Sequence, residues 1–309
     1  MSSTVTRREP KTPGSARAPT VTVIVVPNVS EGRDERKIGE LAATIGTEGA
    51  RVLDVHSDGV HNRSVFTVAG SSHAIVPAMA ALADASRYID LGRHRGAHPR
   101  LGGLDVCPVV AHDLELSNAV RIAKEMAAAI AARAELPVYL YGAAATREST
   151  RELPSLRRGG LEALKRRAAG GLTPDFGPSV IDLRAGVVCV GARAVLIAFN
   201  VWLKCDVAIA RSIAAIVRTS GGGPPGVRAI GLAMGSDVSQ VSINLTDPAA
   251  TGIDKIFQAV LLAASEKGAS VVATEIVGLP PAAFRPDPSG EAARLLSEPG
   301  RSLESALSR

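Results

Sequence analysis

The stretch from Gly92 to Pro108, GRHRGAHPRLGGLDVCP, gathers two histidines, three arginines and four glycines in a run without helical or strand periodicity. Imidazole exchanges protons near neutral pH, and guanidinium groups hold carboxylates by charge-assisted hydrogen bonds. Gly96 and Pro99 exclude a regular helix, so His94 and His98 are not the i, i+4 pair of a helical zinc site. Because no third ligand follows at suitable spacing, we predict a loop without a metal. The pattern of this loop alone leaves two interpretations of His94 and His98 open: hydrogen-bonded surface residues, or residues that take part in chemistry.

The elements around this loop predict a βαββαβ unit. Its first strand is the apolar run at 21–26, and a helix from Asp34 to about Ile45 follows. GARVLDV and HNRSVFTVAG then predict two strands, SSHAIVPAMAALADASRYI a helix, and LDVCPVV a buried strand. A further helix near 115–134 and a short strand at PVYLY come next. The loop therefore enters a buried strand, where a scaffold commonly presents functional side chains.

The second half of the chain repeats this order. VLIAFNVWL, a helix near 206–219, GVRAIGLAM, DVSQVSINLTD, a helix in TGIDKIFQAVLLAASEKG, and SVVATEIVG correspond to the six elements of the first half. Asn28 and Asn200 lie 172 residues apart and Gly49 and Gly226 lie 177 apart, the difference falling across the turn GGGPP. We expect an α/β (α+β) fold of two duplicated ferredoxin-like subdomains with a ligand cleft between them. The alternative is a generic alternation of helices and strands.

Five segments follow from this pattern. They are a disordered basic arm at 1–20, an N-terminal subdomain at 21–152, a linker and ligand-contacting segment at 153–185, a C-terminal subdomain at 186–284, and a polar tail at 285–309. The arm contributes +3 of the net charge of +5, so the folded body is nearly neutral. GGGPPG at 221–226 is interpreted as a flexible connection rather than an anion cradle.

Composition excludes several classes of protein. No apolar run approaches the roughly 18 residues that span a bilayer, and the first twenty residues lack the apolar core of a secretory signal. Aromatic residues make up 3% of the chain, and no basic stripe accompanies a docking helix, which argues against nucleic-acid binding. Cys107, Cys189 and Cys205 are odd in number and far apart, which is typical of a reducing, cytoplasmic location.

Several motifs together resemble the formiminotransferase family, the glutamate formimidoyltransferases. In chain order they are VPNVSEGR, LDV, HNRSVFTVAG, HPRLGGLDVCP, LPVYLYGAAA, PDFGPS, VGARAVLIAFNVWL, QVSINLTD and EIVGLPP. The resemblance runs from about Val23 to Leu279, and the HPR and PDFGPS motifs are specific to the family. It implies two α/β subdomains, a homodimer and a folate-binding tunnel between the subdomains.

The resemblance also implies a reaction. A formimino group passes from N-formimino-L-glutamate to N5 of tetrahydrofolate, a step of one-carbon metabolism that serves histidine degradation, and glutamate is released. Tetrahydrofolate is a co-substrate, and no prosthetic group or metal is implied. Some relatives carry a fused cyclodeaminase; since none is expected here, a separate cyclodeaminase would act downstream.

The family's catalytic histidine corresponds to His98. N5 attacks the amidine carbon, and one imidazole can take the N5 proton and then protonate the departing glutamate nitrogen. Asn62 and Arg63 are candidates to orient substrate, and Arg100 either holds substrate carboxylates or is a solvated surface residue. The resemblance assigns folate contact to Gly177, Pro178, Ser179, Val180, Ile181, Asp182, Leu183, Arg184, Ala185 and Gly186; of these, 180–185 match the family pattern less closely.

Two positions depart from the family pattern. Ala97 stands where an acidic residue usually precedes the catalytic histidine, and His56 stands where DVD usually ends in a carboxylate. Both changes remove negative charge. If the missing carboxylates raise the basicity of the histidine or bind the pterin, we expect a lower rate or a lower folate affinity; alternatively, His56 is a new polar group for a different substrate. Two alternatives to formimino transfer therefore stay open: formyl-group transfer or recycling on folate with another donor, and a non-catalytic folate-binding protein.

Overall fold

The larger of two β-sheets carries the loop around His98. The computed structural model describes residues 22–298 and 300–309, so the predicted basic arm lies outside the described residues. The seven strands of the first sheet are β1 (Val23–Val25), β2 (Asn28–Val29), β3 (Arg51–Asp58), β4 (Arg63–Gly70), β5 (Leu104–Ala111), β6 (Val138–Gly142) and β7 (Val188–Ala194). β1 and β2 lie end to end between β4 and β5, giving the order β3, β4, β1/β2, β5, β7, β6. The pairs β5–β7 and β7–β6 are parallel, and the others are antiparallel.

Three helices cover one face of this sheet: α1 (Glu35–Thr47), α2 (Ser72–Ser86) and α3 (Leu116–Ala134). Asp34 and Ser71 begin α1 and α2 because their side chains accept hydrogen bonds from free backbone N–H groups of the first turn. Apolar residues at helical spacing, such as Ile38, Leu41 and Ile45 in α1, pack on alternate strand residues such as Phe66 and Val68. This helix-covered face forms the main core.

The opposite face of the first sheet is covered at its β6 edge by a second layer. This layer contains α4 (Glu148–Arg151), α5 (Leu153–Arg157) and α6 (Gly160–Ala169); α5 and α6 belong to the segment predicted as a linker. Leu156 and Leu164 pack there on Val106, Tyr139 and other strand residues. The layer fixes Arg157, the last residue of α5, next to the loop that contains His98.

The second sheet contains β8 (Ile197–Lys204), β9 (Val227–Ala233), β10 (Val238–Leu245) and β11 (Ser270–Val277) in the antiparallel order β11, β8, β10, β9. Two helices, α7 (Val207–Val217) and α8 (Ile253–Glu266), pack on one face through a separate apolar core. Counted along the chain, the strands of this sheet stand in the order fourth, first, third, second. If β1/β2 counts as the first strand of the N-terminal sheet, its first four strands stand in the same order: β5, β1/β2, β4, β3.

The two sheets are turned toward each other through the faces that α1–α3 and α7–α8 leave uncovered. These are called the helix-free faces, although α4–α6 cover the β6 edge of the first one. Two side-chain hydrogen bonds cross between them, His56 to Glu275 and His61 to Gln240. The C-terminal tail contains α9 (Glu291–Arg294) and α10 (Leu303–Leu307), and Leu303 is buried against the first sheet. The segment expected to be a polar tail therefore contributes apolar contacts to both halves of the protein.

The mixed α/β class predicted from the sequence is confirmed, and each predicted strand and helix is present to within a few residues. The strand β7 and the helices α4–α6 were not predicted. Duplication and the five proposed segment boundaries stay predictions. Within 22–298 and 300–309, no helix is long and apolar enough to cross a bilayer. In the same part of the chain, no three His, Cys, Asp or Glu side chains group as metal ligands.

Candidate functional site

The candidate site lies at the middle of the helix-free face of the first sheet. Asn28 and Arg63 project from β2 and β4, and the Asn28 Oδ1 atom accepts from Arg63 Nε at 3.0 Å. Asn28 pairs with Val106 and Val29 with Leu104, so Asp105 is the extra residue of a bulge in β5. A bulge can re-aim a side chain, and this one directs Asp105 toward the helix-free face.

Asp105 joins three parts of the site through one carboxylate. Its side chain is 2% exposed, its Oδ1 atom accepts from the Leu101 backbone N–H at 2.7 Å, and its Oδ2 atom accepts from Arg63 at 3.3 Å and from Arg157. A buried carboxylate flanked by two guanidinium groups has its charge compensated. Asp105 therefore fixes both arginines and the start of the strand that follows the His98 loop.

His98 lies against this charge cluster. Its Nδ1 atom is 2.7 Å from Arg63 Nη1 and 2.8 Å from the Pro99 carbonyl oxygen. One ring nitrogen cannot accept from Arg63 and donate to Pro99 at the same time. Acceptance from Arg63 puts the neutral ring's proton on Nε2, whereas donation to Pro99 leaves Nε2 with a free lone pair. The two partners therefore support opposite tautomers, one with an acidic and one with a basic Nε2.

The surroundings of His98 keep its ring neutral. Burial lowers the pKa of His98 well below its ordinary value of 6.5, and the positive charges of Arg63 and Arg157 lower it further. Burial likewise lowers the pKa of Arg63, and the negative charge of Asp105 partly offsets this effect. The resulting pKa of about 10 leaves the guanidinium charged at neutral pH. A proton placed on His98 is thus readily given up.

The conformation of the loop depends on close backbone contacts. The Arg100 guanidinium donates to the carbonyls of His61 at 3.0 Å, His98 at 2.7 Å and Asn62 at 3.3 Å. A Cβ atom at Gly96 would lie 2.2 Å from the His61 carbonyl oxygen, so only glycine fits there. Arg100 therefore ties the loop to the β3–β4 turn, and its predicted substrate-binding role stays a prediction.

Asn62 also supports the loop from the β3–β4 turn. Its φ of 49° is in the left-handed region, which asparagine tolerates better than most residues. Its Oδ1 atom accepts from the Gly32 N–H at 3.0 Å, and its Nδ2 atom donates to the Arg95 carbonyl at 3.1 Å. Asn62 thus joins the β3–β4 turn to the His98 loop, with both ends of its amide used by backbone groups.

His61 of the β3–β4 turn and Gln240 of the second sheet form a pair that the sequence did not single out. The His61 ring lies edge-on to His98, with centroids 5.9 Å apart, and its Nε2 atom is 3.0 Å from Gln240 Oε1. Both residues are more than nine-tenths buried. His61 Nδ1 and Gln240 Nε2 have no partner among the described residues. Buried polar atoms normally have partners, so these two are candidates to meet a ligand. The motifs HNRS and QVSINLTD contained both residues, but nothing in them indicated that they would meet.

His56, at the position where a carboxylate was expected, is paired with one. Its Nε2 atom is 3.1 Å from Glu275 Oε1, and Glu275 Oε2 accepts from Asn200 Nδ2 at 2.8 Å. Burial lowers the pKa of His56, but the hydrogen bond and charge of Glu275 outweigh it and raise that pKa above 6.5. A carboxylate therefore still lies at this end of the helix-free faces, supplied by β11 instead of β3.

The predicted folate-contacting segment packs directly behind the loop. Gly186 forms a bridge with Gly102, and Val187 N–H donates to the Leu101 carbonyl at 2.9 Å. A Cβ atom at Gly102 would lie 2.0 Å from the Val187 carbonyl oxygen. Arg184 of this segment pairs with Asp90 on the surface, Val180 is 75% exposed, and Ile181 is buried. Folate contact by residues 177–186 stays a prediction.

The residues that form the loop and both sheets fall within matches to known proteins. Residues 22–193 match the protein family described as "Formiminotransferase domain, N-terminal subdomain", and residues 198–285 match the one described as "Formiminotransferase domain". A glutamate formimidoyltransferase of Streptococcus pyogenes serotype M1 is 38% identical over 263 residues, which cover 83% of this chain and 88% of that protein. One from Thermoplasma acidophilum is 37% identical over 267 residues, covering 83% and 87%.

A bifunctional relative extends the comparison. The formimidoyltransferase-cyclodeaminase of Gallus gallus is 38% identical over 267 residues, which cover 83% of this chain and 49% of that protein. The chain thus spans about half the length of that relative. These matches define the protein as a transferase. It belongs to the formiminotransferase family, as its motifs predict.

Proposed function

We propose that this protein transfers the formimino group of N-formimino-L-glutamate to N5 of tetrahydrofolate, with His98 as general base and then general acid. The observation that carries the proposal is the pair of competing partners at His98 Nδ1, Arg63 at 2.7 Å and the Pro99 carbonyl at 2.8 Å. One imidazole needs to take a proton and later return it. The Pro99 carbonyl favours the tautomer whose Nε2 can accept the proton, and the charge of Arg63 favours its return.

The base step uses the Pro99-bonded tautomer. With its proton on Nδ1, His98 presents the Nε2 lone pair and accepts the N5 proton as N5 attacks the amidine carbon. The ring is then an imidazolium. Because Arg63 and Arg157 raise the free energy of that cation, the proton is not retained. The histidine stays neutral, and therefore available as a base, at pH values where an ordinary histidine is protonated.

The acid step returns the proton from Nε2 to the departing glutamate nitrogen as the tetrahedral intermediate collapses. This transfer leaves the remaining proton on Nδ1, where the Pro99 carbonyl accepts it, and the charge of Arg63 favours the transfer because it destabilises the imidazolium. Asp105 holds Arg63 at this position. General acid–base catalysis of this kind contributes about 10²- to 10⁴-fold in rate. No step of this scheme requires a prosthetic group.

Several family expectations belong to the same proposal. The matching strand orders of the two sheets support an internal duplication of a ferredoxin-like unit, with the substrates bound between the helix-free faces. Residues 177–186 would contact folate, with Asn62, Arg63 and Arg100 near the substrate. We further propose a homodimer in the cytoplasm, working in histidine degradation with a cyclodeaminase downstream.

A coupled assay of glutamate release tests the proposal. Purified protein should release glutamate only when formiminoglutamate and tetrahydrofolate are both present, and folate should acquire the formimino group in equal amount. Formyl donors in place of formiminoglutamate should give no product. Saturable folate binding without glutamate release would contradict the proposal, as would turnover that depends on a formyl donor.

A further inference from the structure

Arg193 is a charged residue on the helix-free face that the site described above does not use. Along β7, Val188, Val190 and Ala192 pack in the helix-covered core, so the alternate residues Cys189, Gly191 and Arg193 face the other way. Its guanidinium therefore projects from the same face of the sheet as Arg63 and Asn28.

Arg193 has no carboxylate partner among residues 22–298 and 300–309. The hydrogen bond found for its side chain there runs from Nη1 to the Ala194 carbonyl at 3.0 Å. Burial lowers the pKa of Arg193, and the nearby Tyr141 opposes this effect only in part. The side chain is nonetheless partly exposed to solvent. A guanidinium that is partly buried, reachable from solvent and not paired with a carboxylate is well suited to bind an anionic group of a ligand.

Neighbouring residues show where Arg193 lies on this face. Tyr141 fills the space above Gly191, where a Cβ atom would lie 2.6 Å from its ring. Val110, the strand partner of Arg193, packs with Ile24 and Leu303, whereas Cys189 packs under the α5–α6 layer. Arg193 thus lies between the tail that covers one part of the face and the helical layer that covers the other.

The spacing along the sheet between Arg193 and Asn28, which contacts Arg63 beside His98, limits which ligand group can reach Arg193. Asn28 pairs with Val106 of β5, and Arg193 pairs with Val110, four residues farther along the same strand. Four strand residues span about 13 Å, before the sideways step from β2 to β7 is added. Formiminoglutamate has five bonds from its amidine carbon to its distal carboxyl, less than two residues of extended chain, or about 7 Å. It is too short to place one end at His98 and the other at Arg193.

We infer that Arg193 binds a carboxylate of the glutamate tail of the folate substrate while the pterin lies at His98. The p-aminobenzoyl group that separates pterin from glutamate supplies the extra length. This inference rests on the proposed function and adds a binding residue to it. Arg193 is then a determinant of which acceptors the enzyme uses and makes no contact with formiminoglutamate.

Kinetics with a shortened acceptor test the inference. Arg193→Gln should lower kcat/KM for tetrahydrofolate about ten- to a hundredfold, the equivalent of one charge-assisted hydrogen bond. With tetrahydropteroate, which lacks the glutamate, the variant and the wild type should have equal kcat/KM. The KM for formiminoglutamate should not change. Arg193→Lys should recover part of the loss, and Arg36→Gln, at an exposed arginine of α1, is the matched control.

Equal losses with both acceptors, or a higher KM for formiminoglutamate, would overturn the inference. Calorimetric binding of folic acid and pteroic acid gives a readout without turnover. Arg193→Gln should weaken the binding of folic acid alone, and equal weakening of both would count against the role of Arg193. If wild-type protein releases no glutamate, the proposed function fails instead, and the two failures are distinct.

Discussion

Replacing Asp105 by Asn should destabilise the protein by about 3 kcal/mol. Arg63 and Arg157 both donate to the same carboxylate oxygen, so their donor nitrogens lie within about 6 Å of each other. Without the carboxylate charge, two unit charges at about 6 Å repel by about 3 kcal/mol at an effective dielectric constant of about 20. Breaking buried ion pairs by removing one partner costs about 3–5 kcal/mol, which agrees with this figure.

Urea unfolding followed by circular dichroism measures this effect. With a slope of at most about 3 kcal/mol per molar urea, the midpoint should fall by about 1 M or more. Asp90→Asn is the matched control, because Asp90 pairs with Arg184 at the surface, where a salt bridge contributes at most about 1 kcal/mol. Asp105→Asn should therefore be clearly less stable than Asp90→Asn.

A second substitution separates charge repulsion from lost packing. Adding Arg157→Met to Asp105→Asn removes one of the two repelling cations and should recover part of the lost stability. If the double variant is less stable than Asp105→Asn alone, repulsion between the arginines is not the cause. Equal midpoints for Asp105→Asn and Asp90→Asn would refute the account of the charge cluster.

Two further predictions concern titration. Burial raises the pKa of Glu275, but hydrogen bonds from His56 and Asn200 outweigh it and lower that pKa below 4.5, while the pKa of His56 is raised above 6.5. The pair should therefore stabilise the fold fully between about pH 4.5 and 6.5 and less as pH rises through the His56 pKa or falls through the Glu275 pKa. Thermal unfolding across pH should lose this dependence in His56→Asn, and an unchanged profile would count against the pair. Arg63→Met should raise the pKa of His98, which NMR titration of the ring measures; a pKa that stays the same or falls would show that Arg63 does not hold it down.

Much of the fold could be predicted because its signals are local. Helical spacing in 35–47 and alternation in 63–70 depend only on neighbouring residues, and both elements are present. The strand β7 was not predicted, because VVCVGAR follows a stretch rich in Gly and Pro that was interpreted as a linker. Its partners are β5 and β6, far away in the chain, and local patterns do not indicate such pairings.

The site was only partly predictable for a similar reason. His98 and Arg63 were named from motifs, and the structure brings their side chains to 2.7 Å. Asp105 was not named, because the bulge that turns it toward the helix-free face depends on pairing with β2. His61 and Gln240 are 179 positions apart and meet only because the two sheets face each other. The carboxylate missing at position 56 is likewise supplied from a distant strand.

The central claim is that the imidazole of His98 performs the proton transfers. Steady-state glutamate release by His98→Gln, with both substrates saturating, tests it most directly; His73→Gln, at an exposed histidine of α2, is the control. The account predicts that His98→Gln keeps its unfolding midpoint and its affinity for folate but turns over at least about 100-fold more slowly. Turnover by His98→Gln equal to that of His73→Gln would contradict the account.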